Sequence, residues 1–188
     1  SRRMKQFREQ LVQTVGPYLV AVVILVLLRS TGLAQTVDLL LYDLITAQRP
    51  SPSGRDTPIT LVGIEESDIQ RFGWPIDDGL FCQAFDQLNT AGVAAIGLDI
   101  YRDKGVGPKQ QCLRDRFQDE PTLVSIFNVA SGIGPVPGTP AERQSYNDLS
   151  LDADGVLRRD LVHVTGQDEA TVSFAMRVME VATGDRRL

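Results

Sequence analysis

Histidine, cysteine and clusters of basic residues are scarce in this chain of 188 residues, and each scarcity excludes a kind of site. The single histidine, His163, lies in an alternating stretch that is typical of a strand, and no serine or cysteine stands in a recognisable nucleophile setting. The sequence therefore indicates no histidine-based catalytic triad. The net charge is -5, and no face rich in lysine and arginine follows the N-terminus. Because binding to phosphates requires such a face, we exclude nucleic acids as partners.

A long uncharged stretch near the N-terminus predicts a membrane anchor. Leu11 to Leu28 carries no charge over 18 residues, and as a helix it would span about 27 Å at ~1.5 Å per residue. Four cations precede this stretch: Arg2, Arg3, Lys5 and Arg8. Arg29 is the only cation in the twenty residues that follow the stretch. The positive-inside rule then places the N-terminus in the cytoplasm and everything from Thr31 onward outside.

Two other interpretations of the uncharged stretch stay open. A cleaved signal peptide is one, because Tyr18 to Leu28 is short and Gly32-Leu33-Ala34 supplies small residues at cleavage-site spacing. A buried core helix is the other. The chain starts at Ser1 and stops at "TGDRRL" after a helical pattern, so we expect it to be part of a longer polypeptide.

Three parts are predicted along the chain. Residues 1–30 form the basic flank and the transmembrane helix. Residues 31–50 form a juxtamembrane amphipathic helix, since the apolar residues between Gln35 and Arg49 recur at helical spacing. The segment "RPSPSGRDTP", residues 49–58, carries three prolines and breaks that helix. The remaining residues, 51–188, form an extracytoplasmic domain.

The domain predicts an α/β fold with parallel core strands. Two continuous apolar runs, residues 59–65 and 93–99, are short enough to be buried strands. A helix between them is capped by Asp77 or Asp78 and ends at Gly92. Strands joined in this way form a right-handed crossover whose sheet is covered on both faces, which predicts three layers.

Further elements complete the predicted fold. A helical pattern over residues 112–117 and a strand over 123–128 add another unit to the sheet. The turn at Asp152-Ala153-Asp154-Gly155 lies between two strand-like arms and predicts an antiparallel hairpin, with Arg158 and Arg159 in its second arm. A last helix over residues 171–183 is stopped by Gly184.

Polar residues at the predicted strand ends mark a candidate ligand site. Ligands in parallel sheets bind outside the carboxyl ends of the strands. The residues that follow the first two predicted strands, together with the one tryptophan in the adjacent loop, are Glu65, Ser67, Trp74, Asp99, Tyr101, Arg102 and Asp103. Clustered carboxylates can act in acid–base chemistry or bind a hard metal, but they also cap helices, so structural roles, ligand contact and catalysis all stay open.

The two cysteines, Cys82 and Cys112, are candidates for a disulfide. Each lies near the start of a predicted helix, and both helices begin at the same edge of a parallel sheet. An oxidising compartment outside the membrane would permit the bond. Sequence gives no separation between the two Cα atoms, so the pairing stays open.

Four segments of the chain, in this order, resemble the CHASE domain of type two. They are "YDLITAQRP", "ITLVGIEESDIQRFGWPIDDGLFCQAFDQLNTAGVAAIGLDIYRD", "YNDLSLDADGVLRRDLV" and "SFAMRVMEVATG". The family is the sensory extracellular domain associated with cyclases and histidine kinases. The resemblance implies an N-terminal anchor, an extracytoplasmic sensor, further transmembrane helices and then a cytoplasmic output such as a nucleotide cyclase or a protein kinase.

These observations predict a sensory input domain in the inner or plasma membrane. It senses an unidentified small ligand or stimulus, and the parent protein carries the enzymatic output. We expect no catalytic residue, cofactor or metal in the chain itself, and we expect a homodimer formed through the helix of residues 35–49. The alternatives are a membrane-tethered hydrolase that uses Glu65, Asp99 and Asp103, and a scaffold that senses nothing.

Overall fold

The computed structural model describes residues 2–50, 58–163 and 172–185. Contacts divide the chain into two units, Ser1–Val62 and Gly63–Leu188. Most of the predicted spacer over residues 49–58 lies outside the described residues, as does Thr171, where the last helix was predicted to begin.

The first unit contains two helices, α1 (Arg2–Ser30) and α2 (Leu33–Ala47). Within α1, Gln13–Ser30 is long and apolar enough to cross a membrane, and none of it is buried. Gly32 separates the helices with a φ of 76°, which glycine adopts without the steric cost that other residues meet. The uncharged stretch predicted as a span therefore coincides, within about two residues, with a helix of membrane-spanning length.

The second unit is built on a sheet of three parallel strands. These are β1 (Ile96–Leu98), β2 (Leu123–Phe127) and β3 (Gln144–Tyr146), in the order β1-β2-β3. Leu98 pairs with Ser125 in one ladder, and Phe127 pairs with Tyr146 in the other. The parallel sheet confirms the predicted α/β class and includes the predicted strands near residues 96 and 123.

Four α-helices accompany the sheet: α3 (Glu66–Phe72), α4 (Asp78–Thr90), α5 (Gln110–Asp119) and α6 (Phe174–Thr183). A 3₁₀ turn, Ala141–Arg143, leads into β3. The Asp77 carboxylate caps α4 by accepting a hydrogen bond from the Gly79 N–H at 2.7 Å, and Gly184 ends α6 with a φ of 71°. Both helix boundaries follow the predicted signals because capping depends on local sequence.

The hydrophobic core lies between β1, β2, α4 and α5. Phe85 of α4 contacts Phe117 of α5 edge to face, with 6.0 Å between the ring centroids. Ile96 and Leu98 point into the same core, whereas Gly97 between them faces α6. A Cβ atom at Gly97 would come within 2.5 Å of the Phe174 ring, so only glycine fits under α6 at this position.

The prediction of a strand over residues 59–65 is wrong. The structure forms no strand there, and Ile59, Leu61 and Val62 are 73%, 92% and 71% exposed. A β-branched apolar run becomes a strand only when a neighbour pairs with its backbone, and no described residue does so. The third strand is instead β3, which the sequence did not reveal because three mixed residues carry no periodic pattern.

The predicted antiparallel hairpin and the three-layer arrangement are not confirmed. The turn itself forms, since the Gly155 N–H donates to the Asp152 carbonyl at 2.8 Å and Gly155 has a φ of 79°. In the described part of residues 147–163, however, the arms contain no strand, and one isolated bridge joins His163 to Val172.

Candidate ligand site at the carboxyl edge of the sheet

A polar residue follows each of the three strands at the same edge of the sheet. Asp99 comes directly after β1, Asn128 after β2 and Asn147 after β3. This edge is the usual position of ligand sites in parallel sheets. We call it the carboxyl edge.

Hydrogen bonds connect the residues of the carboxyl edge. The Asn147 side-chain amide donates to the Asp99 carboxylate at 2.6 Å, and the Asn128 amide donates to the Tyr101 hydroxyl at 3.1 Å. The Asn128 side-chain oxygen accepts from the Ser131 N–H at 2.6 Å. Two of the predicted site residues, Asp99 and Tyr101, are thus held in place by two asparagines.

Three residues of this edge were missed by sequence reasoning. Besides Asn128 and Asn147, Asp148 accepts the N–H groups of Val129 at 3.0 Å and Ala130 at 3.4 Å, which orders the loop after β2. The positions of Asn128 and Asn147 directly after a strand are the signal that could have revealed this edge. That signal required knowledge of β3, which the sequence did not provide.

Tyr146 ends β3 beneath this edge with a buried hydroxyl group. The residue is 2% exposed, and its hydroxyl has no hydrogen-bond partner among the described residues. Burial raises the pKa of the phenol, and the carboxylates of Asp160 and Asp148 raise it further. The hydroxyl therefore remains protonated and available as a donor at neutral pH.

Other predicted site residues lie in different settings. Glu65 and Ser67 are exposed at the start of α3, where the Glu65 N–H donates to the Asp68 carboxylate at 2.9 Å. Trp74 is 61% exposed in the loop between α3 and α4. Asp103 is exposed in the loop between β1 and α5. The structure assigns Glu65 and Ser67 to a helix start rather than to a strand end.

Arg102, also predicted to contact ligand, is buried beneath α4. It donates to the Ile76 carbonyl at 2.5 Å, and its guanidinium carbon lies 5.2 Å from the centroid of the Phe81 ring. Its Nε atom lies 3.6 Å from Oδ1 of Asp78, and the two side chains are 5% and 1% exposed. Burial raises the pKa of Asp78, although the Val106 N–H and the charge of Arg102 oppose that effect.

A cavity of about 410 Å³ adjoins this buried pair. It lies beside the starts of α4 and α5. Its lining residues are Asp78, Arg102, Gly105, Pro108, Gln110, Gln111, Leu113, Arg114, Val136 and Pro137. None of these residues is one of the asparagines or aspartates of the carboxyl edge, so the second unit contains two separate polar regions.

A disulfide joins the two helices beside the cavity. Cys82 of α4 is bonded to Cys112 of α5, with 6.5 Å between their Cα atoms and a sequence separation of 30. Both cysteines lie in the first half of their helices. The bond therefore links the ends of α4 and α5 that border the cavity.

The two arginines after the predicted turn are bound by the turn itself. Arg158 donates to Asp152 at 3.0 Å and to Asp154 at 2.8 Å, and Arg159 also donates to Asp152. The hydrogen bonds from Arg158 lower the pKa of Asp154 to about 2. These arginines serve the fold of the turn rather than the carboxyl edge.

Comparison with known proteins identifies the family of the chain. The model of the CHASE2 domain family matches residues 20–187. No curated protein and no solved structure matches the chain. The family match extends from the apolar helix through the carboxyl edge to the end of α6, and the chain therefore belongs to the CHASE2 family of extracellular sensory domains.

Proposed function

We propose that this chain is the extracytoplasmic input domain of a transmembrane signalling receptor, and that a cytoplasmic nucleotide cyclase or protein kinase forms the output of the longer polypeptide. The family match over residues 20–187 carries this proposal, because it includes the C-terminal part of α1, residues 20–30, as well as the α/β unit. A sensor outside a membrane needs an output on the other side of it. In this proposal the helix of membrane-spanning length anchors the sensor, and further transmembrane helices beyond the sensor lead to the C-terminal output.

In the proposed topology the protein lies in the inner or plasma membrane, and its N-terminus is in the cytoplasm. Support comes from the four cations before the apolar helix and the single Arg29 after it. Alkaline phosphatase fused after Leu188, which is active only outside the cytoplasm, should be active. As a control, replacement of the four cations by glutamine should weaken the orientation bias.

Two outcomes would contradict this topology. Activity of a reporter that works only in the cytoplasm, fused at the same point, would show the opposite orientation. Recovery of the chain from the soluble fraction, shortened near Ala34, would show a cleaved signal peptide in place of an anchor.

Ligand recognition is proposed at the carboxyl edge, where Asp99 and Tyr101 are held by asparagines. The Asp99→Ala variant of the full receptor should need about tenfold more ligand for half-maximal signalling, because one charge-assisted hydrogen bond contributes about 1.5 kcal/mol or more. The matched control is Glu142→Ala, an exposed carboxylate just before the amino end of β3. It should respond like the wild-type receptor.

Different results would favour the other two functions. Chemical conversion of a ligand by the purified chain, lost in the Asp99→Ala variant, would point to the hydrolase. An unchanged response in both Asp99→Ala and Tyr101→Phe would remove ligand recognition from the carboxyl edge, and no response to ligand in the wild type or in either variant would point to the scaffold.

The proposed receptor is a homodimer that pairs through α2. This helix exposes several large apolar residues: Val37, Leu40, Leu41, Tyr42, Leu44 and Ile45. The exposed surface is more than one stripe of a surface helix normally presents. Single cysteines from Leu39 to Ile45 should crosslink in membranes at every third or fourth position. An absence of crosslinks at all seven positions would remove the dimer from the proposal.

A further inference from the structure

The outer edge of β1 is open. β1 lies at one side of the sheet and pairs with β2 alone among the described strands. Ile96 directs its backbone toward β2, and its N–H donates to the Thr122 carbonyl at 2.8 Å. Because backbone groups alternate in direction along a strand, those of Gly97 point away from β2, where no described residue pairs with them. Gly97 is exposed, whereas Ile96 and Leu98 on either side of it are buried.

This edge lacks the usual protection against pairing with another chain. Natural edge strands are commonly protected by a charged side chain, a proline or a bulge. The run from Val93 to Leu98, "VAAIGL", contains no charged residue and no proline. The edge of β1 is therefore suited to accept one more strand.

A second segment of the same chain has the complementary property. Residues 59–64, "ITLVGI", are rich in β-branched and other apolar side chains, which suits a strand. Their backbone forms no hydrogen bond with another described residue, and Leu61 is 92% exposed. Apolar segments of this kind add to open sheet edges through main-chain hydrogen bonds. Each copy of the chain thus exposes an unpaired strand-forming segment and an open sheet edge.

We propose that residues 59–64 of one copy pair with the outer edge of β1 in a second copy. A second copy is the partner because each copy leaves its own segment unpaired, and the proposal rests on the homodimer proposed above. Residues 48–58 join α2 to the segment and extend to at most about 40 Å, so the segment can reach the sheet of a copy paired through α2. In a two-fold dimer each copy donates one segment and accepts one, and neither β1 edge remains open.

Crosslinking between two differently tagged full chains in membranes tests this exchange. One chain carries Leu61→Cys and the other carries Ala94→Cys, a change at an exposed position beside β1. The native cysteines are bonded to each other and should not react with a short bismaleimide. A crosslinked species that carries both tags is expected. In the control, Leu149→Cys replaces Leu61→Cys, since Leu149 is also apolar and 64% exposed but lies outside the segment; it should give no such species.

Two results of this experiment overturn the exchange. One is the absence of any species with both tags. The other is a crosslink that forms only inside a single chain carrying both cysteines, which would show that the segment pairs with β1 of its own copy.

A charged side chain in the segment should weaken the dimer without unfolding the chain. Leu61 is almost fully exposed in one copy, so Leu61→Asp should fold as the wild type does. In the dimer the carboxylate would be buried between strands, and the dissociation constant measured by sedimentation in detergent should rise by about tenfold or more. Leu149→Asp is the matched control and should dimerise as the wild type does. Equal dissociation constants for Leu61→Asp and the wild type would contradict the proposal.

Failure of the exchange and failure of the proposed homodimer are distinguishable. Crosslinks through α2 without any between the segment and β1 would keep the dimer and remove the exchange. Crosslinks between the segment and β1 without any through α2 would keep the exchange and remove α2 as the dimer contact. The absence of both would remove the exchange and the homodimer together.

Discussion

Two groups of aspartate and arginine in the second unit show how differently the same residue types can act. In the turn at residues 152–159, Arg158 donates to both aspartates at 2.8–3.0 Å, and the pKa of Asp154 is lowered to about 2. In the core, Arg102 and Asp78 lie 3.6 Å apart, and burial raises the pKa of the carboxylate. The turn satisfies its charges with its own residues, whereas the core pair leaves two atoms unsatisfied. The same residue types thus shift the carboxylate pKa in opposite directions, because Asp78 is buried whereas Asp154 is exposed and accepts from Arg158.

The largest expected effect comes from the Arg102→Met variant. It leaves Asp78 buried without its cation, and breaking a buried ion pair on one side lowers the free energy of unfolding by about 3 to 5 kcal/mol. The double variant Asp78→Asn/Arg102→Met should recover much of this loss, because neither charge then remains. Denaturation by urea measures both. Equal stability of the single variant and the wild type would show that Asp78 gains nothing from Arg102.

The next effect concerns the disulfide that joins the helices bordering this pair. A bond that closes a loop of 30 residues stabilises the folded state by about 3 to 4 kcal/mol in the chain-entropy model. The Cys82→Ala/Cys112→Ala variant should be less stable by that amount, and reducing agent should not destabilise it further. Mass spectrometry of the non-reduced wild type provides the direct check. Two free thiols in protein exported to an oxidising compartment would contradict the bond.

A smaller effect is expected from Tyr146→Phe, which removes the third unsatisfied side-chain group. Removing a buried hydroxyl that lacks a partner should leave the free energy of unfolding unchanged or raise it by up to about 1 kcal/mol. Tyr101→Phe is the control, since the Tyr101 hydroxyl accepts a hydrogen bond from Asn128. Its removal should lower the free energy of unfolding slightly. A loss of stability in Tyr146→Phe would mean that its hydroxyl is satisfied, which would weaken the contrast between satisfied and unsatisfied groups.

The smallest effect belongs to the turn and depends on pH. The pKa of Asp154 is lowered from 3.8 to about 2, so its contribution to stability is present above pH 3.8 and is lost as the pH falls through about 2. Asp154→Asn should therefore be slightly less stable than the wild type at pH 6, and the difference should disappear below about pH 2. Asp148→Asn at the carboxyl edge is the matched comparison. A difference between Asp154→Asn and the wild type that persists unchanged at low pH would remove Arg158 as the cause.

Local signals made much of the fold predictable from the sequence. Asp77 caps α4 and Gly184 ends α6 as expected, because a cap depends on a few neighbouring residues. The strands near residues 96 and 123 were found through their continuous apolar runs. The run over residues 59–65 carries the same signal and forms no strand, since pairing is decided by distant parts of the chain.

The candidate site was less predictable because its contacts join residues far apart in sequence. Asp99 meets Asn147 across 48 positions, and that contact depends on β3, which has no sequence signature. The sequence suggests that Arg102 is an exposed loop residue, but in the structure it is enclosed by Asp78 and Phe81. The sequence identified which residue types follow β1, but it could not separate the exposed Asp99 from the buried Arg102.

Because Gly97 has no side chain, β1 packs directly against α6. The Phe174 ring occupies the space that a side chain at this position would need, so displacement of the strand must displace the helix. Asp99 lies only two residues further along the chain, directly after β1 at the carboxyl edge. A ligand that binds Asp99 and shifts β1 would therefore also shift α6. Gly97→Ala would displace the Phe174 ring of α6 with or without ligand. In the full receptor we therefore expect it to fix the output at one level rather than to abolish it.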